Sequence, residues 1–182
     1  MDLQRPESDV DWPDVIHRAL EKEGVSLVAY VPDAELKRLI ELCQADPGMT
    51  TVPLTTEEEG IGLSIGGWLG GAKVALLLQS SGVGNLVNAL GAVAECEMPL
   101  FMLVSMRGED GEQNPWQVPM GRATPSVLGA MGVEVDRVDR KAEVETVVAH
   151  ALRAAFGDTS ARAVLLSQKF MGIKSFQEQV GQ

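Results

Sequence analysis

The chain has 182 residues, enough for one domain with its own core, and its 45% hydrophobic and 23% charged residues are globular proportions. Its 15 basic and 26 acidic residues leave a net charge of −11, which excludes the basic face that a nucleic-acid binder needs. No apolar stretch is long enough to span a membrane, the Met1-Asp2-Leu3-Gln4-Arg5 start lacks the features of a signal peptide, and a soluble cytoplasmic protein is expected.

Asp11-Trp12-Pro13 predicts a helix start, with Trp12, Ile16, Ala19 and Leu20 on one face and Gly24 as the stop. The apolar run 25–31 suits a buried strand, broken by Pro32-Asp33. Leu36, Leu39, Ile40 and Cys43 mark a second helix, and a short strand near 49–52 leads into a helix over 57–71. The alternation continues with a strand at 74–78, a helix at 84–95 and a strand at 100–105. A polar loop over 107–117 precedes a short helix at 125–131, closed by Gly132. A strand at 133–138, a helix at 141–156 and a strand at 163–167 complete the series.

Helices alternating with continuous apolar strands predict an α/β fold, doubly wound, with a mainly parallel sheet covered on both faces. One domain is expected over residues 11–170, between tails at 1–10 and 171–182. Cys43 and Cys96 lack disulfide or metal-ligand spacing, and each reads as a small core hydrophobe. His17 and His150 fall in predicted helices away from the loops, so neither a metal cluster nor a Ser-His-Asp set is expected.

Ligands of such folds gather beyond the carboxyl ends of the strands, which selects the loops 31–33, 55–60, 79–85 and 106–124. In Thr55-Thr56-Glu57-Glu58-Glu59-Gly60, the three acids suit the positive end of a helix dipole. The glycines that follow, at 60, 62, 66, 67, 70 and 71, would each cost an exposed helix about 1 kcal/mol against Ala. Such a helix fits a place where another backbone, subunit or cofactor lies close. Gln79-Ser80-Ser81-Gly82-Val83-Gly84-Asn85 is a Gly-rich turn from strand to helix, a geometry suited to phosphate. Neither nucleotide fingerprint is met there, and a turn needing glycine only for its shape is an equal reading. The stretch from Arg107 through Arg122 carries two arginines that could receive an anion, or pair with acids of the same loop.

Taken in order, Val31-Pro32-Asp33, Glu57-Glu58-Glu59-Gly60, the 79–85 turn, Met106-Arg107-Gly108 and Gln117-Val118-Pro119-Met120-Gly121-Arg122-Ala123-Thr124 resemble the pyrimidine-binding domain of thiamine-diphosphate enzymes. Within them the likeness is to sulfopyruvate decarboxylase alpha subunits, with phosphonopyruvate decarboxylases a close relation, and it runs from about Trp12 to Gln168. The resemblance implies a thiamine-diphosphate-dependent 2-oxo acid decarboxylase acting on a small anionic 2-oxo acid, most simply sulfopyruvate. It also implies a glutamate that meets N1′ of the aminopyrimidine. Glu57 fits the family spacing with Gly60 and Gly66, and Glu58 fits with a one-residue shift; Glu57 is favoured. The family's Gly-Asp-Gly…Asn motif for Mg²⁺ and the diphosphate is missing, since Gly157-Asp158-Thr159 lacks the second Gly and the Asn. A separate diphosphate-binding beta subunit is therefore expected to hold Mg²⁺, and this chain is expected to hold no metal. Pro32, Gln79, Ser81, Gly82 and Asn85 are the expected cofactor neighbours, and Asp33 a candidate for proton transfer. Arg107 and Gln117 are candidates for the substrate, with Arg122 and Lys37 as weaker ones. A non-catalytic binding or regulatory subunit is the alternative of another class.

Overall fold

Residues 11–172 are described by a computed structural model. The first helix, α1 (Trp12–Glu23), opens on Asp11, whose carboxylate accepts the Trp12 N–H at 2.9 Å, and closes on Gly24 at φ 78°. In chain order there follow β1 (Val25–Tyr30), α2 (Lys37–Ala45), β2 (Thr50–Pro53), α3 (Glu57–Leu69) and β3 (Lys73–Gln79). Then come α4 (Val83–Leu86), α5 (Leu90–Glu95), β4 (Leu100–Ser105), α6 (Val118–Ala130) and β5 (Glu134–Val138). The series ends with α7 (Val144–Gly157), β6 (Ala161–Leu166) and α8 (Gln168–Met171). Short 3₁₀ turns precede α4, α6 and α7.

All six strands run parallel in the order β2-β1-β3-β4-β6-β5. The central strands are apolar throughout because alternate residues face two different cores. Ala75, Leu77, Phe101, Leu103, Val164 and Leu166 pack with α1, α2 and α7 on one face. Leu76, Leu78, Met102, Val104, Ala163 and Leu165 pack with α3 to α6 on the other. Ring contacts close the first layer, Trp12 edge-on to Phe170 and Trp68 stacked on Phe156.

Four expectations need correcting. The helix expected over 57–71 stops at Leu69, because Gly70 and Gly71 turn the chain back to β3. The helix expected over 84–95 is two short helices, since Gly91 and Ala92 donate to the carbonyls three residues earlier and tighten the chain between them. The helix expected at 125–131 begins at Val118 instead, with Pro125 inside it. Proline usually marks a first turn, but here α6 is held from outside. Gly121 lies against the Arg107 carbonyl and Gly108, and Thr124 Oγ1 donates to Met120 O at 2.7 Å and Ser80 O at 3.3 Å. Cys43 is buried as expected, but Cys96, at the end of α5, is exposed. The tails expected at 1–10 and 171–182 lie outside the described residues, apart from Met171 and Gly172.

Candidate active site

The sheet changes direction between β1 and β3: β2 lies on one side of β1 and all later strands on the other. A crevice opens at such a switch point, outside the carboxyl ends of the strands. Here Asp33 follows β1, Gln79 ends β3 and Ser105 ends β4, the last two being register partners. The half-buried Asp33 carboxylate collects three donors. Oδ1 accepts from the Glu35 backbone N–H at 3.2 Å and from Gln79 Nε2 at 3.4 Å, and Oδ2 accepts from the Ser105 hydroxyl. Gln79 Oε1 in turn accepts from Ser81 Oγ at 2.9 Å and Gln117 Nε2 at 3.2 Å. Gln117 Oε1 is buried and has no donor of its own.

A second group forms where α3 begins. Of the three successive acids only Glu57 is buried, at 7% exposure, while Glu58 and Glu59 face outward. Glu57 Oε2 accepts from Asn85 Nδ2 at 2.8 Å, and its carboxylate lies hard against Gly82. Glu59 reaches back instead, accepting the Thr55 N–H at 2.8 Å and satisfying a donor that the helix start leaves open. The first turn of α3 thus sends one carboxylate inward and two outward, as helical spacing requires. The turn Ser80–Gly82 links both groups. Ser81 Oγ donates to Gln79 of the first, Gly82 borders Glu57 of the second, and Ser80 Oγ accepts the Arg107 N–H at 2.9 Å.

Arg107 is buried, and its Nε and Nη2 both donate to Glu112 at 2.7 Å, a bidentate pair. Glu112 also accepts from the backbone N–H groups of Asn114 and Gly108, at 2.8 and 3.1 Å, and from Gln168 Nε2 at 3.0 Å. Hydrogen bonds from Arg107 above all, with those other donors, hold the Glu112 carboxyl far below the usual carboxylate range despite its burial, and the same pair raises the Arg107 guanidinium. Glu109 extends the network. Its carboxylate accepts from the Gln168 N–H at 2.8 Å and Arg137 Nη1 at 2.6 Å, and its own N–H donates to Gln168 Oε1 at 3.1 Å. Of the two sequence readings of Arg107, the structure displays the salt bridge within the loop.

The structure therefore gathers Asp33, Gln79, Ser81 and Gln117 in one network, and Glu57, Gly82 and Asn85 in another. Pro32 and Arg122 are exposed and join neither through a hydrogen bond among the described residues; Glu58 is turned outward, and Lys37 pairs with Glu41 at 3.8 Å. Sequence reasoning missed Ser105, Glu112 and Gln168, and gave Glu109, inside the Arg107 stretch, no role. A serine ending an otherwise apolar strand was a signal for the first; the acids five and two residues beyond Arg107 were too ordinary to single out. Among the described residues no three His, Cys, Asp or Glu side chains lie together in a way that could hold a metal. None of the described helices is long and apolar enough to cross a membrane. A groove of 600 Å³ at the opposite, amino edge of the sheet, bordered by Met98, Glu134 and Ser160, contains none of these residues.

Residues 11–126 match the family described as "Thiamine pyrophosphate enzyme, N-terminal TPP binding domain". The alpha subunit of sulfopyruvate decarboxylase from Methanothermobacter thermautotrophicus is 33% identical over 162 residues, which cover 88% of this chain and 98% of that one. Its counterpart from Methanococcus maripaludis is 39% identical over 116 residues, 63% of this chain and 70% of that one. In fold, the chain matches the solved structure of 2-oxoglutarate:ferredoxin oxidoreductase from Magnetococcus marinus with a TM-score of 0.71 at 15% identity, over 93% of this chain and 34% of that one.

Proposed function

The chain belongs to the thiamine pyrophosphate enzymes, in the family of the sulfopyruvate decarboxylase alpha subunits, and on that premise we propose that it holds the aminopyrimidine half of an active site that a second chain completes. The observation that carries this reading is the buried Glu57 carboxylate, held by Asn85 against Gly82 beside the switch point. The residues present suit the cofactor. A buried carboxylate can share a proton with a ring nitrogen, and Gln117 Oε1, a buried acceptor without a donor, suits an amino group. Gln79, Ser81 and Asn85 add amide and hydroxyl groups, and Pro32 an exposed apolar edge.

Bound thiamine diphosphate supplies the nucleophilic carbon and the electron sink for loss of CO₂. Glu57 holds the proton exchanged with N1′ of the pyrimidine. Asp33, fixed by three donors, moves a proton at the reacting centre. Mg²⁺ and the diphosphate fall to the partner, a diphosphate-binding beta subunit. The substrate class is a small anionic 2-oxo acid, and we take it to be sulfopyruvate, converted to sulfoacetaldehyde and CO₂. Because Arg107 is already paired with Glu112, its role is to shape the loop that carries Gln117 and not to receive the substrate anion directly.

The test is CO₂ release from sulfopyruvate with thiamine diphosphate and Mg²⁺, by this chain alone and mixed with the diphosphate-binding chain. Turnover in the mixture only is the expected result. Cofactor binding by the mixture without turnover of sulfopyruvate, but with turnover of phosphonopyruvate or another 2-oxo acid, would replace the substrate and keep the site. A mixture that binds no cofactor would leave a non-catalytic binding subunit as the reading.

A further inference from the structure

Ser105 ends the central strand β4 as a fully buried hydroxyl among apolar neighbours, and buried polar groups of this kind are retained only with partners. It has two. Its Oγ faces Asp33 Oδ2 on one side and the Leu78 carbonyl on the other, at 3.4 Å. The two oxygens of Asp33 thus meet different neighbours. Oδ1 is approached by the Glu35 backbone N–H and the Gln79 amide, groups that only donate as they stand here. Oδ2 faces a hydroxyl, which donates or accepts according to where its hydrogen points.

We infer that Ser105 is a positioning residue that assigns Asp33's transferable proton to Oδ2 and keeps the carboxyl oriented in both of its protonation states. With Asp33 ionised, the Ser105 hydrogen points to Oδ2. When Oδ2 takes a proton, its O–H donates to Ser105 Oγ, and the serine hydrogen turns to the Leu78 carbonyl. No bond to Ser105 forms or breaks. The proton rests on the Ser105 side between transfers and swings about the C–O bond to the open side of the half-buried carboxyl to leave, so it arrives at Oδ2 and departs from it, and neither state strands a buried donor. An alanine at this position would leave Oδ2 without a partner on the sheet side, and Asp33 held by Oδ1 alone.

This inference rests on the proposed role of Asp33 and is tested apart from it. In the reconstituted two-chain enzyme, S105A is expected to lower kcat by about 10- to 100-fold, part of the 10²–10⁴ that a positioned proton-transfer group contributes. KM and cofactor affinity are expected to stay within about twofold, because Ser105 is buried behind Asp33 rather than facing ligand. The solvent deuterium isotope effect on kcat should rise, and S105T, which keeps the hydroxyl, should recover most of the rate. A readout without turnover comes from thermal unfolding of the full chain alone, for S105A, D33N and the double variant: the midpoint shifts should be non-additive. Additive shifts, an unchanged kcat in S105A, or equal losses in S105A and S105T would overturn the inference. Full activity in D33N would overturn the role of Asp33 itself; an impaired D33N beside a normal S105A would overturn the role of Ser105 alone.

Discussion

The Glu57 carboxylate occupies the space that a side chain on Gly82 would need. A Cβ on Gly82 would stand 2.6 Å from Glu57 Cγ and closer still to the carboxylate. Gly82 itself has ordinary right-handed backbone angles, φ −71° and ψ −20°, so close approach and not conformational freedom is what requires glycine here. The G82A variant is therefore expected to push Glu57 from its seat and lose turnover, with an overpacking cost of about 1–3 kcal/mol. Thermal unfolding and CO₂ release measured together check this; wild-type values in both would mean that the turn yields easily.

The three acids at the start of α3 should separate cleanly on mutation. E57Q removes the one buried carboxylate and is expected to lower kcat by about 10²–10⁴-fold, as loss of a positioned acid–base group does. E58Q should act within about twofold of wild type, since an exposed first-turn acid contributes only about 0.3–1 kcal/mol to helix stability. Steady-state rates of the two variants side by side decide it. A normal E57Q with a dead E58Q would move the site by one residue.

Glu112 should set the acid stability of the chain. Its carboxyl lies below the ordinary range in the folded protein, chiefly through the Arg107 hydrogen bonds. The unfolded chain, with the ordinary glutamate value near about 4.3, binds this proton first as pH falls. The stabilisation is therefore complete above about pH 4.3 and drains away below it, toward the depressed folded value. E112Q leaves the buried Arg107 charge unpaired, which costs about 3–5 kcal/mol when a buried pair is broken. Denaturant unfolding at pH 7 and pH 3.5 checks both statements: the variant should be less stable at pH 7 by that amount and show less acid sensitivity over this window than wild type.

Only one of the two cysteines should react in the native chain. Burial, with the nearby Asp46 charge, pushes the Cys43 thiol up to about 12, whereas Cys96 is exposed. The thiolate is the reactive form. A disulfide reagent at pH 8 should label one thiol per native chain and two after denaturation. Two labelled thiols in the native chain would show that the helix α2 opens readily.

Much of the fold was legible because the central strands are apolar along most of their length and the helices α1, α2 and α7 each carry an apolar stripe. Val25–Tyr30, Lys73–Gln79 and Leu100–Ser105 lie within about two residues of the runs that predict them. The reach of α6 was not legible. Pro125 reads locally as a helix start, and what carries the helix through it is contact with residues far away in sequence, Gly108 against Gly121 and Ser80 against Thr124. The break between α4 and α5 was hidden because Leu86, Leu90 and Val93, at helical spacing, read as one continuous stripe.

The alternation of strand and helix, the loops where chemistry gathers and the likeness that names the cofactor are all written in local periodicity and short-range spacing. Which of three adjacent glutamates turns inward, the capture of Arg107 by Glu112 and the meeting of Ser105 with Asp33 depend instead on the assembled fold. Arg107 and Glu112 lie five positions apart in one loop whose shape the fold sets, whereas Ser105 and Asp33, 72 positions apart, meet beyond β4 and β1 across the intervening β3. A partner at that separation leaves no trace in local pattern, because strand order and register fix the meeting, and these emerge only when the sheet is assembled.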